Sequence, residues 1–228
     1  MLNTVDQTNQ IAAFTSRLLR DRFGKGPESV HVCIGQQCIS IHIRNFIGPV
    51  EKFLLNKKEE KTFRYTRELL MQSLLPELLE FLKQEMDITL DINELYYDWG
   101  LHNASGIIVG LLPCHTHSSE LYTGRDELHN QIIRVTGTVQ REPDFIYSWW
   151  MNPKTLIVVR EGLMILLEKE LVQLGFDEVL RTTKRKLEKR YLEEETSNDM
   201  IAGKRVADLY VDWNFEQDKS VIAYTFFE

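Results

Sequence analysis

The chain is poor in cysteine and proline and has no long apolar run. Its 228 residues include only three cysteines and six prolines. An odd number of cysteines without framework spacing argues against a disulfide-stapled secreted domain and favours a reducing compartment. The longest apolar stretches fall far short of the roughly 18 residues that a spanning helix needs, and residues 1–6 lack the basic flank and apolar run of a signal peptide. We therefore expect a cytoplasmic protein with no direct membrane insertion.

Positive charge is also scarce. The chain has 27 lysines and arginines against 34 aspartates and glutamates, which gives a formal net charge of −7. A nucleic-acid-binding domain usually presents a basic field to the phosphate backbone, and an anionic lipid surface attracts the same kind of charge. The balance therefore predicts that nucleic acid is not a partner.

What the chain does contain is an internal repeat. The string Leu-Tyr-Tyr-Asp-Trp at 95–99 precedes a polar turn and Gly-Ile-Ile-Val at 106–109, and Leu-Tyr-Val-Asp-Trp at 209–213 precedes a similar turn and Ser-Val-Ile-Ala at 220–223. Asp98 and Asp212 are 114 residues apart, which is half of the 228-residue chain. Self-similarity at a fixed offset indicates a duplicated structural unit.

The repeat divides the chain into two domains. We predict a first repeat over residues 1–113, a linker over 114–119, and a second repeat over 120–228. Two such units would form a pseudo-dimer within one chain, as fused protomers do, and further oligomerisation is left open.

The hydrophobic periodicity gives both halves the same order of elements. Helical spacing is found at 9–22, 49–84, 120–138 and 162–196. Alternation predicts strand pairs at 30–34 with 39–44, 86–97 with 106–112, 145–151 with 155–160, and 206–213 with 220–227. The charged segment 57–61 is either a solvated turn of one long helix or a break between two helices.

These elements predict an α+β fold built by tandem duplication. Each unit runs helix-strand-strand-helix-strand-strand and forms a mainly antiparallel four-stranded sheet with helices on one face.

The turn after the first predicted helix carries a resemblance to a known family. It consists of Arg22, Phe23, Gly24, Lys25, Gly26 and Pro27. A hairpin follows, and then a helix that opens near Glu51 and contains Arg67. This arrangement resembles the small bacterial MpsC-like family, formerly a domain of unknown function, whose members share a Phe-Gly-Lys-Gly-Pro turn. In the second half Arg-Glu-Pro at 141–143 takes the place of that turn, which makes the second copy divergent.

The resemblance implies a link to a membrane system for cation or inorganic-carbon transport. We therefore expect a non-enzymatic accessory or protein-binding module whose partner is another protein, in a membrane transport complex. The family supplies no catalytic residues to carry over, and no cofactor is expected. The alternative is a small-ligand-binding sensor or an enzyme with a site at the repeat interface.

The turn and the first hairpin supply the candidate binding residues. Glycines around Lys25 allow backbone N–H groups and an ammonium to approach a phosphate or carboxylate. They equally suit a helix stop that needs left-handed torsions. His31, His42 and Arg44 share the polar face of the hairpin, where histidines can transfer protons near neutral pH, although such a face is ordinarily just solvated. The candidate ligand or partner site is therefore Arg22, Phe23, Gly24, Lys25, Gly26, Pro27, His31, His42 and Arg44.

A metal site is a weaker hypothesis. Side chains of the types that zinc prefers are present at Cys33, Cys38, Cys114, His115 and His117. The sequence has no Cys-x-x-Cys pair, and thiols on a sheet face explain the hairpin cysteines, so we predict no metal.

Two further charged features have a structural and a functional interpretation. Asp98 and Asp212 could act as acid and base across a cleft, or they could be turn residues that bond backbone N–H groups. The basic residues between 184 and 190 lie among glutamates, which is typical of a salt-bridged helix surface, and the weaker alternative is contact with nucleic acid or an acidic partner.

Overall fold

The computed structural model describes residues 4–100, 104–113, 118–195 and 200–227. The chain divides into two compact units. The first comprises Met1–Leu95 and Trp99–Cys114, and the second comprises Tyr96–Asp98 and His115–Glu228. Residues 114–117 of the predicted linker lie outside the described residues, so the predicted domain boundaries stay a prediction.

The first unit contains three helices and the first sheet. The helices are α1 (Thr4–Phe23), α2 (Pro49–Asn56) and α3 (Glu60–Met86). The strands of the first sheet are β1 (Ser29–Ile34), β2 (Cys38–Arg44), β3 (Leu95–Trp99) and β4 (Gly106–Leu111), of which the three residues Tyr96–Asp98 of β3 group with the second unit. They lie in the order β1-β2-β4-β3, and β2 runs antiparallel to both β1 and β4.

The second unit repeats this arrangement. Its helices are α4 (Arg125–Val139), α5 (Leu166–Gln173) and α6 (Asp177–Glu195). Its strands are β5 (Phe145–Asn152), β6 (Thr155–Glu161), β7 (Met200–Ile201), β8 (Lys204–Asn214) and β9 (Lys219–Phe226). The sheet order is β5-β6-β9-β8-β7, in which the two-residue β7 is an addition at one edge. The four long strands follow the order of the first sheet, so the predicted α+β fold with a repeated unit is confirmed.

The helices repeat at a fixed offset. Both α2 and α5 have eight residues and begin 117 residues apart, and α3 and α6 also begin 117 residues apart. The tryptophans that end the equivalent strands, Trp99 and Trp213, are 114 residues apart. These offsets give each residue of α2 and α3 a defined counterpart in the second unit.

The structure decides one open alternative and shows two predicted boundaries to be wrong. The charged segment 57–61 contains a break, since α2 ends at Asn56 and α3 begins at Glu60. The predicted strand 86–97 begins only at Leu95, because Asp87 adopts a left-handed φ of 56° after α3 and Ile92–Glu94 form a 3-10 turn. The first helix of the second unit begins at Arg125 rather than near 120, after Gly124 at φ 84°.

The central strands form the core of each unit. Every residue of β4 is buried, and so are six of the seven residues of β6. Continuous apolar runs such as residues 156–159 are typical of strands covered on both faces. In the second unit Ile132 of α4, Leu180 of α6 and Ile222 of β9 belong to one apolar cluster with β6.

A glycine makes room for the tryptophan at the end of β3. A Cβ added at Gly106 would lie 2.1 Å from Trp99 Cε3. In the second unit the equivalent pair is Trp213 and Ser220, which are partners in the strand register. The indole of the first unit therefore occupies space that a side chain at position 106 would need.

Replacing Gly106 with alanine is expected to destabilise the first unit by about 1–3 kcal/mol, because the new methyl group overpacks the indole. Urea unfolding followed by tryptophan fluorescence measures the change. Gly26→Ala is the control, since its Cβ would meet only the end of the exposed Arg20 side chain, at 3.1 Å. Equal destabilisation by the two substitutions would contradict the packing argument.

Candidate functional site: a buried cation in each unit

Arg67 is the buried cation of the first unit. It lies within α3 and is only 1% exposed. Its Nε donates to Glu51 Oε1 at 2.6 Å, and its Nη2 donates to Glu51 Oε2 at 3.1 Å and to the Phe46 carbonyl at 2.5 Å. Glu51 Oε2 also accepts from the backbone N–H of Gly48 at 2.7 Å, which satisfies a free donor at the start of α2. One carboxylate thus binds the guanidinium and begins a helix.

Aromatic rings surround the guanidinium. Its Cζ lies 4.2 Å from the ring centroid of Trp99, 4.6 Å from Phe63, 5.0 Å from Phe46 and 5.9 Å from Phe23. We call these four rings the aromatic cage. A desolvated cation over such faces is stabilised by roughly 2 kcal/mol or more. Burial lowers the pKa of Arg67, and the hydrogen bond and charge of Glu51 oppose that shift.

The Phe-Gly-Lys-Gly-Pro turn supports this cage. Phe23 packs edge-on against Phe46, with ring centroids 4.8 Å apart. Lys25 Nζ donates to the Ile47 carbonyl at 3.2 Å, and Gly24 has the left-handed φ of 70° expected after a helix. The turn therefore holds the short loop whose Phe46 carbonyl receives Arg67. Its role in binding a ligand or partner stays a prediction.

The remaining turn residues lie near the surface. Arg22 forms an ion pair with Glu77. A Cβ at Gly26 would meet the Arg20 side chain, and Pro27 is half-buried.

The structure brings the two hairpin histidines together. His31 in β1 is the direct register partner of His42 in β2, and Arg44 lies two residues further along β2 opposite Ser29. His31 Nε2 lies 3.2 Å from Ser29 Oγ. Ser40 lies on the same side of β2 as His42 and is buried, so this face of the strand is not solvated along its whole length. The strand is exposed only where it approaches Arg44.

Lys184 is the counterpart of Arg67 in the second unit, 117 residues later. Its Nζ donates to Glu168 Oε1 at 3.0 Å and lies 5.7 Å from the ring centroid of Trp213. Glu168, which is 117 residues after Glu51, accepts from the Ile165 N–H at 3.1 Å and so begins α5. Burial lowers the pKa of Lys184, while the charges of Glu188 and Glu168 oppose that shift. Carboxylate, cation and tryptophan thus recur at equivalent positions.

The second unit buries a second cation, Arg160. Its Nη2 donates to Glu188 Oε2 and to Ser220 Oγ, both at 2.7 Å, and its Nη1 donates to Thr136 Oγ1 at 2.7 Å. Arg160 and Glu188 are each fully buried. A buried charge pair persists only when both members and their hydrogen bonds are present.

The first unit has apolar residues at the same places. By the offsets of 117 and 114, Arg160, Glu188 and Ser220 correspond to Ile43, Met71 and Gly106. The three replacements are mutually dependent, because the arginine needs the carboxylate and the hydroxyl. The two units thus keep the same arrangement of strands and helices with different residues at these interior positions.

The two repeat aspartates are buried and paired within the second unit. Asp98 accepts from the Val211 N–H at 3.0 Å, and its carboxylate lies 3.0 Å from Arg185 Nε. Asp212 accepts from the Tyr97 N–H at 2.8 Å and from Arg185 Nη2 at 3.0 Å. The structural interpretation of these residues fits this geometry, although each bonds a backbone N–H of another strand rather than its own turn.

The predicted salt-bridged helix surface is wrong for part of the basic cluster, whose Lys186 and Arg190 are exposed as expected. Lys184 and Arg185 are buried, and Lys189 Nζ lies 2.5 Å from Asp98 Oδ2. The helical period of α6 turns these cations inward, where they neutralise buried carboxylates.

The metal hypothesis receives no support from the described ranges. Across them, no group of three or more His, Cys, Asp or Glu side chains could hold an ion. Cys33 lies half-buried in β1 and Cys38 is buried in β2. Cys114, His115 and His117 lie outside the described residues.

A polar cluster that the sequence did not indicate lies in the second unit. Ser148 Oγ is 2.6 Å from both His129 Nε2 and the Tyr122 hydroxyl. Burial and the charge of Arg125 lower the pKa of His129, while the charge of Asp126 opposes them. Ser148 is fully buried, so the cluster fixes the segment before α4 to β5 rather than presenting a nucleophile. No sequence motif joins these residues, because Ser148 follows Tyr122 by 26 residues and His129 by 19.

Residues 5–113 match the family model described as "Na+-translocating membrane potential-generating system (MpsC)". The match covers 109 of the 228 residues, slightly under half of the chain. It does not extend to residues 114–228, so a second, divergent MpsC-like copy stays a prediction. Comparison with curated proteins and with solved structures gave no match. Within the described ranges, no helix combines the length and the hydropathy needed to cross a bilayer.

Replacing Arg67 with methionine is expected to lower the free energy of unfolding by about 3–5 kcal/mol, because Glu51 would remain buried without its cation. The double variant Glu51→Gln with Arg67→Met should recover part of that loss. Arg67→Lys, which copies the cation of the second unit, should cost less than Arg67→Met. Urea unfolding compares the three variants, and an Arg67→Met protein as stable as the parent would contradict the assignment.

The free energy of unfolding is expected to decrease, so that the protein becomes less stable, as the pH drops below about 6.5, the ordinary pKa of an unfolded histidine. Since the folded state lowers the pKa of His129, the unfolded chain binds more protons between the folded and unfolded pKa values. His129→Gln should reduce this loss between pH 6.5 and the lowered pKa, as measured by unfolding at several pH values. His31→Gln, at an exposed position, is the control. An unchanged pH profile in His129→Gln would contradict the prediction.

Proposed function

We propose that the chain is a non-enzymatic accessory module of a membrane system that translocates cations, and that it works by docking on another protein of that system. The observation that carries this proposal is the match of residues 5–113 to the MpsC family model, whose description names a Na+-translocating, membrane potential-generating system. That description favours a cation over inorganic carbon as the transported species.

The use of charge in both units supports a binding role. Arg67 with Glu51, and Lys184 with Glu168, are buried pairs that fix one helix against the next. Such pairs hold a rigid scaffold, and a rigid scaffold suits a protein that presents a surface to a partner. We place this module in the cytoplasm, because the few cysteines without framework spacing favour a reducing compartment.

Deleting the gene for this chain in the organism that encodes it is expected to lower the Na+-dependent potential of inverted membrane vesicles, read with a voltage-sensitive dye. The tagged full chain should also retain a polytopic membrane protein from a mild detergent extract, identified by mass spectrometry against an untagged control.

An unchanged potential together with no retained membrane protein would contradict the proposed function. Turnover or specific binding of a small molecule by the purified chain, lost on replacing His31 or His42, would favour the alternative of a sensor or enzyme.

A further inference from the structure

The turn between α5 and α6 exposes a cluster of large apolar side chains. It consists of Leu166, Leu167, Leu174, Phe176 and Val179, each between 50% and 75% exposed, and we call it the α5–α6 elbow. Leu166 and Leu167 begin α5, and Leu174 directly follows its last residue, eight and seven residues later, a spacing that places the three on one side of a helix. Gly175, at φ 78°, then turns the chain towards α6, which begins at Asp177, so that Phe176 and Val179 follow Leu174 at the start of that helix.

The first unit provides an internal comparison for this elbow. At the 117-residue offset, Leu174, Phe176 and Val179 correspond to Lys57, Glu59 and Thr62, whereas Leu166 and Leu167 correspond to the apolar Pro49 and Val50. The difference between the units therefore lies in the three residues of the turn and the start of α6. The helices on both sides of the turn begin at equivalent positions in the two units, 117 residues apart, and the two turns have the same length. The turn therefore forms with charged residues in the first unit, and its folding does not require apolar ones. Exposed apolar residues that the fold does not need indicate an interaction site.

The charge around the elbow also differs between the units. Lys57, Lys58 and Lys61 of the first unit correspond to Leu174, Gly175 and Glu178 of the second. The exposed charged residues beside the apolar cluster include Glu170, Asp177 and Glu178. The cations adjacent to these residues in sequence are paired with carboxylates, Lys169 with Asp218 at 3.3 Å and Arg181 with Asp212. The apolar cluster therefore has an acidic rim.

An acidic rim restricts the possible occupants. A second copy docked elbow to elbow would bring like charges together, which is unfavourable across an interface. An anionic lipid surface would repel the same carboxylates. A segment with an apolar face and basic flanks could cover the exposed leucines and pair its charges with the carboxylates.

We propose that the α5–α6 elbow is the docking surface for an apolar helical segment of a partner protein with Lys or Arg on its flanks. Apolar helices with such flanks occur where membrane-spanning segments meet the cytoplasm, because cytoplasmic loops are enriched in Lys and Arg. That the partner is a membrane protein rests on the proposed function, whereas the chemistry of the segment rests on the elbow alone.

Two synthetic helical peptides with the same Leu and Phe face test the proposal, one with Lys and the other with Glu at both ends. Fluorescence anisotropy with the full chain should show the Lys-flanked peptide binding at least about tenfold more tightly, since the rim repels the other. The double variant Leu174→Lys with Phe176→Glu should weaken that binding at least about tenfold. This variant places at positions 174 and 176 the residues that the first unit has at 57 and 59. Its unfolding midpoint should therefore equal that of the parent. Leu121→Lys, at an exposed apolar position outside the elbow, is the matched control and should bind as the parent does.

Equal affinity for the two peptides, or unchanged binding by the double variant, would overturn the proposal. Lipid-vesicle binding or dimerisation that the double variant abolishes would also overturn it, because the occupant would then be a membrane or a second copy. If the double variant still retains the membrane partner, the elbow is not the docking surface, while the proposed function is unaffected. If the chain binds the Lys-flanked peptide selectively but the potential is unchanged in the deletion strain, the docking proposal stands and the link to the transport system is rejected.

Discussion

In both units one glutamate carboxylate begins a helix and neutralises a cation that comes from the following helix. Glu51 and Glu168 accept a backbone N–H at the start of α2 and α5, and they bind Arg67 and Lys184. Removing such charges from water is costly, so the carboxylate, the cation and the aromatic rings around them must come together. In each unit this requirement ties the second helix to the start of the first and to the residue just before it.

The same requirement bears on where the two units differ. The second unit contains the pair Arg160 and Glu188 at positions that are apolar in the first unit, and each member of the pair needs the other. The charge buried in each interior is therefore paired. At the turn between α5 and α6, Leu174 and Phe176 are exposed where the first unit has a lysine and a glutamate. The two units thus share an interior arrangement of strands and helices and differ in the surface of this turn.

The sequence predicted the α+β class and the order of helices and strands along the chain, because alternation in the strands is a local signal and the repeated Asp-Trp pairs are visible in the sequence itself. It placed Gly24 correctly after α1 for the same reason. It missed the start of β3, where the 3-10 turn has no apolar period. It could not show that Lys184 and Arg185 are buried, because a basic run among glutamates has the composition of a solvated surface, and only tertiary contacts turn it inward. The candidate residues of the turn and hairpin, from Arg22 to Arg44, have a defined placement but an untested role.

Native-state hydrogen exchange at the Gly48 and Ile165 amides tests the central claim most directly. Both N–H groups lie just before a helix and donate to the glutamate that binds the buried cation. If these pairs organise the units, both amides should exchange among the slowest of their unit, because only global unfolding would release them. Exchange as fast as that of exposed loop amides, at either position, would contradict the account.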